Sequence, residues 1–354
     1  MDARVKPAPH EIRLARSENP KMRERDFAQM LGISEAEYIA AYCGQNVTRI
    51  EPRVNDVLIG LEAVGEVMAL TRNASAVHEK IGVYDKVVTG SQHAIVLSEH
   101  IDLRIFPKAW AHGFAVEKRD GDEIRRSLQF FDQSGEAVHK VHLRNASNLY
   151  AYQNLVSSLV AADQGQSIDV RGDDGAGEKT AGGQVAAGVE ELRERWSRMT
   201  DVHQFFGMLR KLKLGRQQAV RLVGTDYAWL VDNDALSAML HHAAGDQMPI
   251  MCFVGSRGCV QIHSGPITNI KPMGPWINVM DETFHLHLRT DHVREVWAVR
   301  KPTKEGYVTS LEAYDGEGNL IIQFFGQRHE GEAERGDWRL LAENLPRIPS
   351  GVTA

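Results

Sequence analysis

The chain has 354 residues, 43% of them hydrophobic and 25% charged, which is enough apolar material for real cores and by length suggests about two domains. Its formal net charge of −6 argues against non-specific binding to nucleic acid or anionic membranes, so an anionic ligand must be met by a local basic pocket. Cys43, Cys252 and Cys259 form no CxxC pair and leave an odd thiol, which fits a reduced cytoplasm better than a secreted disulfide scaffold.

The N-terminal stretch MDARVKPAPHEIRLARSENP is charged throughout and lacks the apolar core of a signal peptide. No later run approaches the roughly 18 apolar residues of a membrane span, so the expectation is a cytoplasmic chain without membrane insertion. RDFAQMLGISEAEYIAAYCG at 25–44 reads as helix, turn and helix ending in glycine. A DNA-reading role is disfavoured by the acidic EAEY in its second helix and by the overall charge. Strands follow at VMALTRN (67–73), IDLRIF (101–106) and FAVEK (114–118), then the hairpin RSLQFFD, QSGE, AVHKVHL. Side chains alternate along a strand, so Ile101, Leu103 and Ile105 form an apolar face while Asp102, Arg104 and Phe106 share the other.

Residues 162–188, ADQGQSIDVRGDDGAGEKTAGGQVAAG, have no hydrophobic periodicity and read as a flexible connection. MTDVHQFFGMLRKLKLGRQQAVRLVG at 199–224 is again helix, turn and helix, with Thr200 or Asp201 as the expected cap and His203 in the first turn. Strands return at IMCFVGS (250–256), FHLHLR (284–289) and WAVRK (297–301), and in the hairpin VTSLEAYD, GEGN, LIIQFFG. In LIIQFF, Leu320, Ile322 and Phe324 oppose Ile321, Gln323 and Phe325. His285 and His287 alternate onto one strand face; without further Cys or acidic ligands nearby, an exposed face is favoured over zinc.

A duplication connects these segments. VMALTRN aligns with IMCFVGS, IDLRIF with FHLHLR, FAVEK with WAVRK and FDQSG with YDGEG, all at an offset of 183 residues without a gap. The chain is therefore read as an α+β tandem repeat, each half a large antiparallel sheet with helices on one face. The expected boundaries are 1–161 for the first repeat, 162–188 for the linker and 189–354 for the second repeat. The opposite sheet faces mix arginine, histidine, glutamine and large aromatics, and rough two-fold symmetry would turn them towards a shared cleft.

Nucleotide chemistry finds no GxGxxG, Walker A or HExxH motif. His203 at a helix start also fits an ordinary surface histidine, but Phe205, Phe206 and Arg216 follow it closely. An imidazole whose protonation is disfavoured by the helix dipole, apolar rings and a cation together suit an amphipathic, anionic, metal-containing ligand.

TDVHQFF, LGRQQAVRL, IDLRIF, WAVRKP and IIQFFGQR resemble motifs of the bacterial cytoplasmic hemin-transport and hemin-degrading family (HemS/ChuS/HmuS type), and the resemblance spans nearly the whole chain. It implies one haem per chain, bound between sheet and helices, with His203 as the proximal iron ligand. It implies that Arg104 lies on the distal side, organising water or bound oxygen. It implies that Arg216, Lys301 and Arg328 meet the propionates or line the pocket, with Phe106, Phe253, Gln323 and Phe325 as wall residues. Many relatives carry a tyrosine where this chain has Phe325.

Two functions follow from the resemblance. One is oxidative haem degradation with iron release, which needs O2 and an external electron donor. The other is non-catalytic carriage of haem from an inner-membrane importer to a separate haem oxygenase. An axial histidine with an open sixth position serves either.

Overall fold

A computed structural model of the chain describes residues 6–172, 185–329 and 331–348. They form two compact units: the first takes in 6–73, 78–172 and 255–261, the second 74–77, 185–254 and 262–348. Within the predicted linker, 173–184 lies outside the described residues. Its first part has no regular secondary structure yet is tied down, because the Gln164 side chain accepts from the Arg49 N–H at 2.9 Å and donates to the Arg49 carbonyl at 2.8 Å. At its other end the helix Val185–Ser197 already begins.

The strands form two nine-stranded antiparallel sheets. In one sheet six of the strands run in the order Val47–Ile50, His112–Asp120, Glu123–Phe131, Ala137–Leu143, Val67–Arg72, Ala76–Gly82. The other sheet repeats it as Ala228–Val231, Glu295–Thr303, Gly306–Tyr314, Leu320–Gly326, Ile250–Gly255, Cys259–Gly265. Of the strands just named, the five pairs from Val67 and Ile250 onward begin and end 183 residues apart, so the duplication read from sequence is present in the fold. The preceding elements are offset by about two residues less: Glu35–Ala40 corresponds to Arg216–Leu222, and Val47–Ile50 to Ala228–Val231.

Strand alternation sorts side chains much as expected. Ile101, Leu103 and Ile105 are buried, Asp102 and Arg104 half-buried, and Phe106 exposed. The exception is Ile321, which lies in the core rather than on the mixed face. The register shifts there, Ala313 pairing with Ile322 and Tyr314 with Leu320, and a bulge resets the alternation.

Both sheet faces are covered in part. In the second unit Leu236, Met239 and Leu240 of the helix Ala235–Gly245 pack on Leu311, Ala313 and Phe324. On the opposite face Val299 meets Trp196, Phe205, Leu209 and Val220, which belong to the three helices Val185–Ser197, Gln204–Leu212 and Arg216–Leu222. The first unit does the same, with Leu58 and Leu61 on Leu128 and Phe130, and Phe27 and Ile39 on Phe114 and Phe131. Trp196 fixes the second three-helix group: it is fully buried, packs edge-on against Phe205 at 5.1 Å and donates from Nε1 to the Arg300 carbonyl at 2.9 Å. Truncating such a side chain to alanine costs about 3–5 kcal/mol.

Candidate functional site on the sheet face of the second unit

Residues directly opposed in an antiparallel ladder share a face. Trp297 opposes Glu312, Glu312 opposes Gln323, and Gln323 opposes Phe253, which makes one row. Val299, Ser310, Phe325 and Met251 make the next. Lys301 continues the phase of Trp297 and Val299, and Tyr314 that of Ser310 and Glu312. The three predicted residues Phe253, Gln323 and Phe325 are thus neighbours, with the Phe253 and Phe325 rings edge-to-face at 5.0 Å.

The centre of this face is a residue that the sequence reading passed over. Glu312 is wholly buried and accepts from Lys301 Nζ at 2.9 Å, from Arg216 Nε and Nη2 both at 2.8 Å, and from Gln323 Nε2 at 3.1 Å. Ser310 and Tyr314 donate hydroxyl hydrogen bonds to it at 2.9 and 2.6 Å. Burial alone would raise its carboxyl, but Arg216 and Lys301 hold it well below the usual carboxylate range. Burial lowers Lys301, an effect that Glu312 opposes.

Two helices close over this cluster. Arg216 opens the helix Arg216–Leu222, and its guanidinium lies over Phe205 at 5.3 Å and Phe206 at 5.6 Å. Lys301 Nζ also lies over Phe205, at 4.7 Å. Phe205 therefore couples the buried charges to the helix Gln204–Leu212. That helix ends on Lys213 at φ 52°, a left-handed cap for which the first unit's counterpart uses Gly32 at φ 69°.

His203 is the N-cap of the helix Gln204–Leu212, one position earlier than the first turn. No side-chain oxygen caps that helix in the expected way. Asp201 instead accepts from the His203 backbone N–H at 2.7 Å, and its Oδ1 lies 2.7 Å from His203 Nδ1. The imidazole thus sits beside a carboxylate and is 78% exposed, rather than facing bare helix N–H groups behind aromatic shielding. The hydrogen bond from the His203 N–H lowers the Asp201 carboxyl, a shift to which the side-chain bond and charges of His203 and Arg328 add.

Seven of the nine predicted site residues, His203, Arg216, Phe253, Lys301, Gln323, Phe325 and Arg328, lie in the second unit. Lys301 and Arg216 both already pair with Glu312 within the chain. Arg328 is half-buried and forms no side-chain hydrogen bond or ion pair among the described residues. Phe206 presents a ring that is 58% exposed. Arg104 and Phe106 belong to the first unit, where Arg104 pairs with Asp102, and Phe106 meets His93 edge-to-face at 5.5 Å. Glu312 had a sequence signal: in VTSLEAYD it is the acidic residue in the phase of Ser310 and Tyr314, on the face opposite Leu311 and Ala313. Among the described residues no helix is long and apolar enough to cross a membrane.

The model of the haemin-degrading HemS/ChuX domain matches this chain twice, at residues 32–159 and 213–345; His203 lies just before the second match. The hemin transport protein HmuS of Yersinia pestis is 40% identical over 336 residues, covering 94% of this chain and 95% of that protein. Among solved structures, holo-PhuS, a heme-binding protein from Pseudomonas aeruginosa, superposes with a TM-score of 0.92 at 40% identity, covering 97% of this chain and all of that one. ChuS, described as an E. coli heme oxygenase, matches with a TM-score of 0.84 at 36% identity, covering 94% of this chain and 98% of that one.

Proposed function

Because the chain belongs to the HemS/ChuX domain family, we propose that it is a cytoplasmic haem-handling protein that binds one haem on the second unit and opens the macrocycle oxidatively, releasing iron. The observation that carries haem binding is His203: an exposed imidazole at the start of a helix whose Phe205 is contacted by Arg216 and Lys301. The residues fit the ligand. Among the described residues no protein group bonds the His203 Nε2, which leaves it for iron. Phe206, Phe253 and Phe325 offer ring surface, and Arg328, which forms no ion pair among the described residues, offers a cation for a propionate.

On this reading haem comes from an inner-membrane importer, and an external reductase supplies electrons for the reaction with O2. Arg104 is assigned to the open axial side, so Arg104→Ala should change the binding of small axial ligands before it changes haem affinity. Equal loss of haem affinity in Arg104→Ala and Arg328→Ala, measured by haem titration, would refute that assignment.

A carrier role is the second reading, favoured by the description of HmuS as a hemin transport protein. The deciding experiment is single turnover of the purified haem complex with a physiological reductant, with catalase present to remove free peroxide. Ring-opened tetrapyrrole and released iron support degradation. Intact haem that transfers to an added haem oxygenase supports carriage.

A further inference from the structure

His203 and Asp201 hold each other in a way that the haem reading does not require. One oxygen, Asp201 Oδ1, takes both the His203 backbone N–H and the ring Nδ1, each at 2.7 Å. A neighbouring pair braces the same turn: Gln204 Oε1 accepts from the Thr200 N–H at 3.0 Å, and Gln204 Nε2 donates to Thr200 Oγ1 at 3.2 Å. The Asp201 oxygen is an acceptor only, so Nδ1 carries a hydrogen, and in the neutral ring the lone pair is then on Nε2. The ring is thereby fixed in tautomer and in direction while remaining 78% exposed.

A metal-bound imidazole whose second nitrogen donates to a carboxylate is held in place and is a stronger electron donor than one facing solvent. We propose that Asp201 is a positioning residue for His203, presenting Nε2 to haem iron and strengthening the axial bond through Nδ1. This inference rests on the haem reading above. It adds a specific electronic role for a residue outside contact with the ligand, and it lowers the reduction potential of the bound iron relative to a histidine without that partner.

The test uses the full chain loaded with haem and compares Asp201→Ala, Asp201→Asn and His203→Ala. Asp201 is half-exposed at 49%, so its replacement leaves the buried core intact, which circular dichroism checks. In Asp201→Ala the iron–histidine stretching band of the ferrous complex should fall in frequency, the midpoint potential should rise, and haem should dissociate about 10–100-fold faster. Asp201→Asn keeps an acceptor but loses the charge, and should lie between Asp201→Ala and the parent. If His203→Ala abolishes the band while both Asp201 variants match the parent in band, potential and dissociation rate, the inference fails and the haem reading survives. If His203→Ala itself leaves the parent spectrum unchanged, the axial assignment falls, and this inference falls with it.

Discussion

Each unit buries one carboxylate between two cations, but the two units build that cluster with the signs exchanged. In the first, the anion is on the helix: Glu35 opens the helix Glu35–Ala40 and is paired with Arg72 and with Lys140 from the sheet. In the second, the equivalent helix start is the cation Arg216, and the sheet supplies the anion Glu312 together with Lys301. The ladders show the exchange directly, because Gln129 opposes Lys140 where Glu312 opposes Gln323. The helix before each cluster differs too: its N-cap is Arg23 in the first unit and His203 in the second. The duplicated scaffold thus keeps a buried charge triad in both units, while an exposed imidazole accompanies it only in the second.

The strongest way to break this comparison is to remove each carboxylate in turn. Glu35→Gln and Glu312→Gln each leave two buried cations without their anion, and each should cost about 3–5 kcal/mol of stability in denaturant titrations. Only Glu312→Gln should also speed haem dissociation, because Arg216 and Lys301 contact Phe205 on the His203 helix. Equal effects of both variants on haem dissociation would mean that the two clusters do the same work.

Acid sharpens the same contrast. Burial opposes ionisation of Glu35, but Lys140 and Arg72 bring it down to about 2 from an ordinary 4.5, and Glu312 is likewise held well below that value. A carboxylate depressed in the folded state stabilises fully above its unfolded pKa and loses that contribution as pH falls through the folded one. Melting temperature should therefore drop between pH 4.5 and about 2, and Glu35→Gln should flatten part of that slope while starting from a lower value. An unchanged slope in this variant would show that the cluster does not govern acid stability.

His203→Ala tests the asymmetry between the N-caps. Haem titration of the parent should saturate at one tight haem per chain, and the variant should lose the native ferric absorption and magnetic-resonance signature while keeping residual binding through ring and propionate contacts. Two equivalent tight haems on the parent would place an axial ligand in the first unit as well.

Much of this was legible before any coordinates. The 183-residue offset contains the bounds of five strand pairs, and period-two alternation placed Arg104, Phe106, Gln323 and Phe325 off the core faces. What escaped was charge pairing across strands and helices. The pairing of Lys301 and Arg216 with Glu312 went unread because Glu312 is 11 residues from one and 96 from the other. Asp201 was visible beside His203 but was expected to cap the helix. Its side chain instead bends back to the imidazole, a local choice that helix-cap rules do not decide.

The smallest predicted effect concerns Phe325. Its ring packs edge-on against Phe253 and lies opposite Ser310 in the ladder, one row from Glu312. Phe325→Tyr adds a hydroxyl at the end of a half-buried ring whose aromatic packing is otherwise kept. A single added hydrogen bond is worth about 0.5–1.5 kcal/mol, so haem dissociation should slow by about 2–10-fold if the hydroxyl reaches the ligand. The first unit supplies the control: its equivalent position is His142, whose imidazole is pushed down to about 4 by burial and by the charges of Lys140 and Lys118, and is therefore neutral near pH 7. His142→Phe should leave haem dissociation unchanged, because no axial ligand or free propionate cation is assigned to that unit. If His142→Phe slowed or sped dissociation as much as Phe325→Tyr, the division of labour between the two units would be wrong.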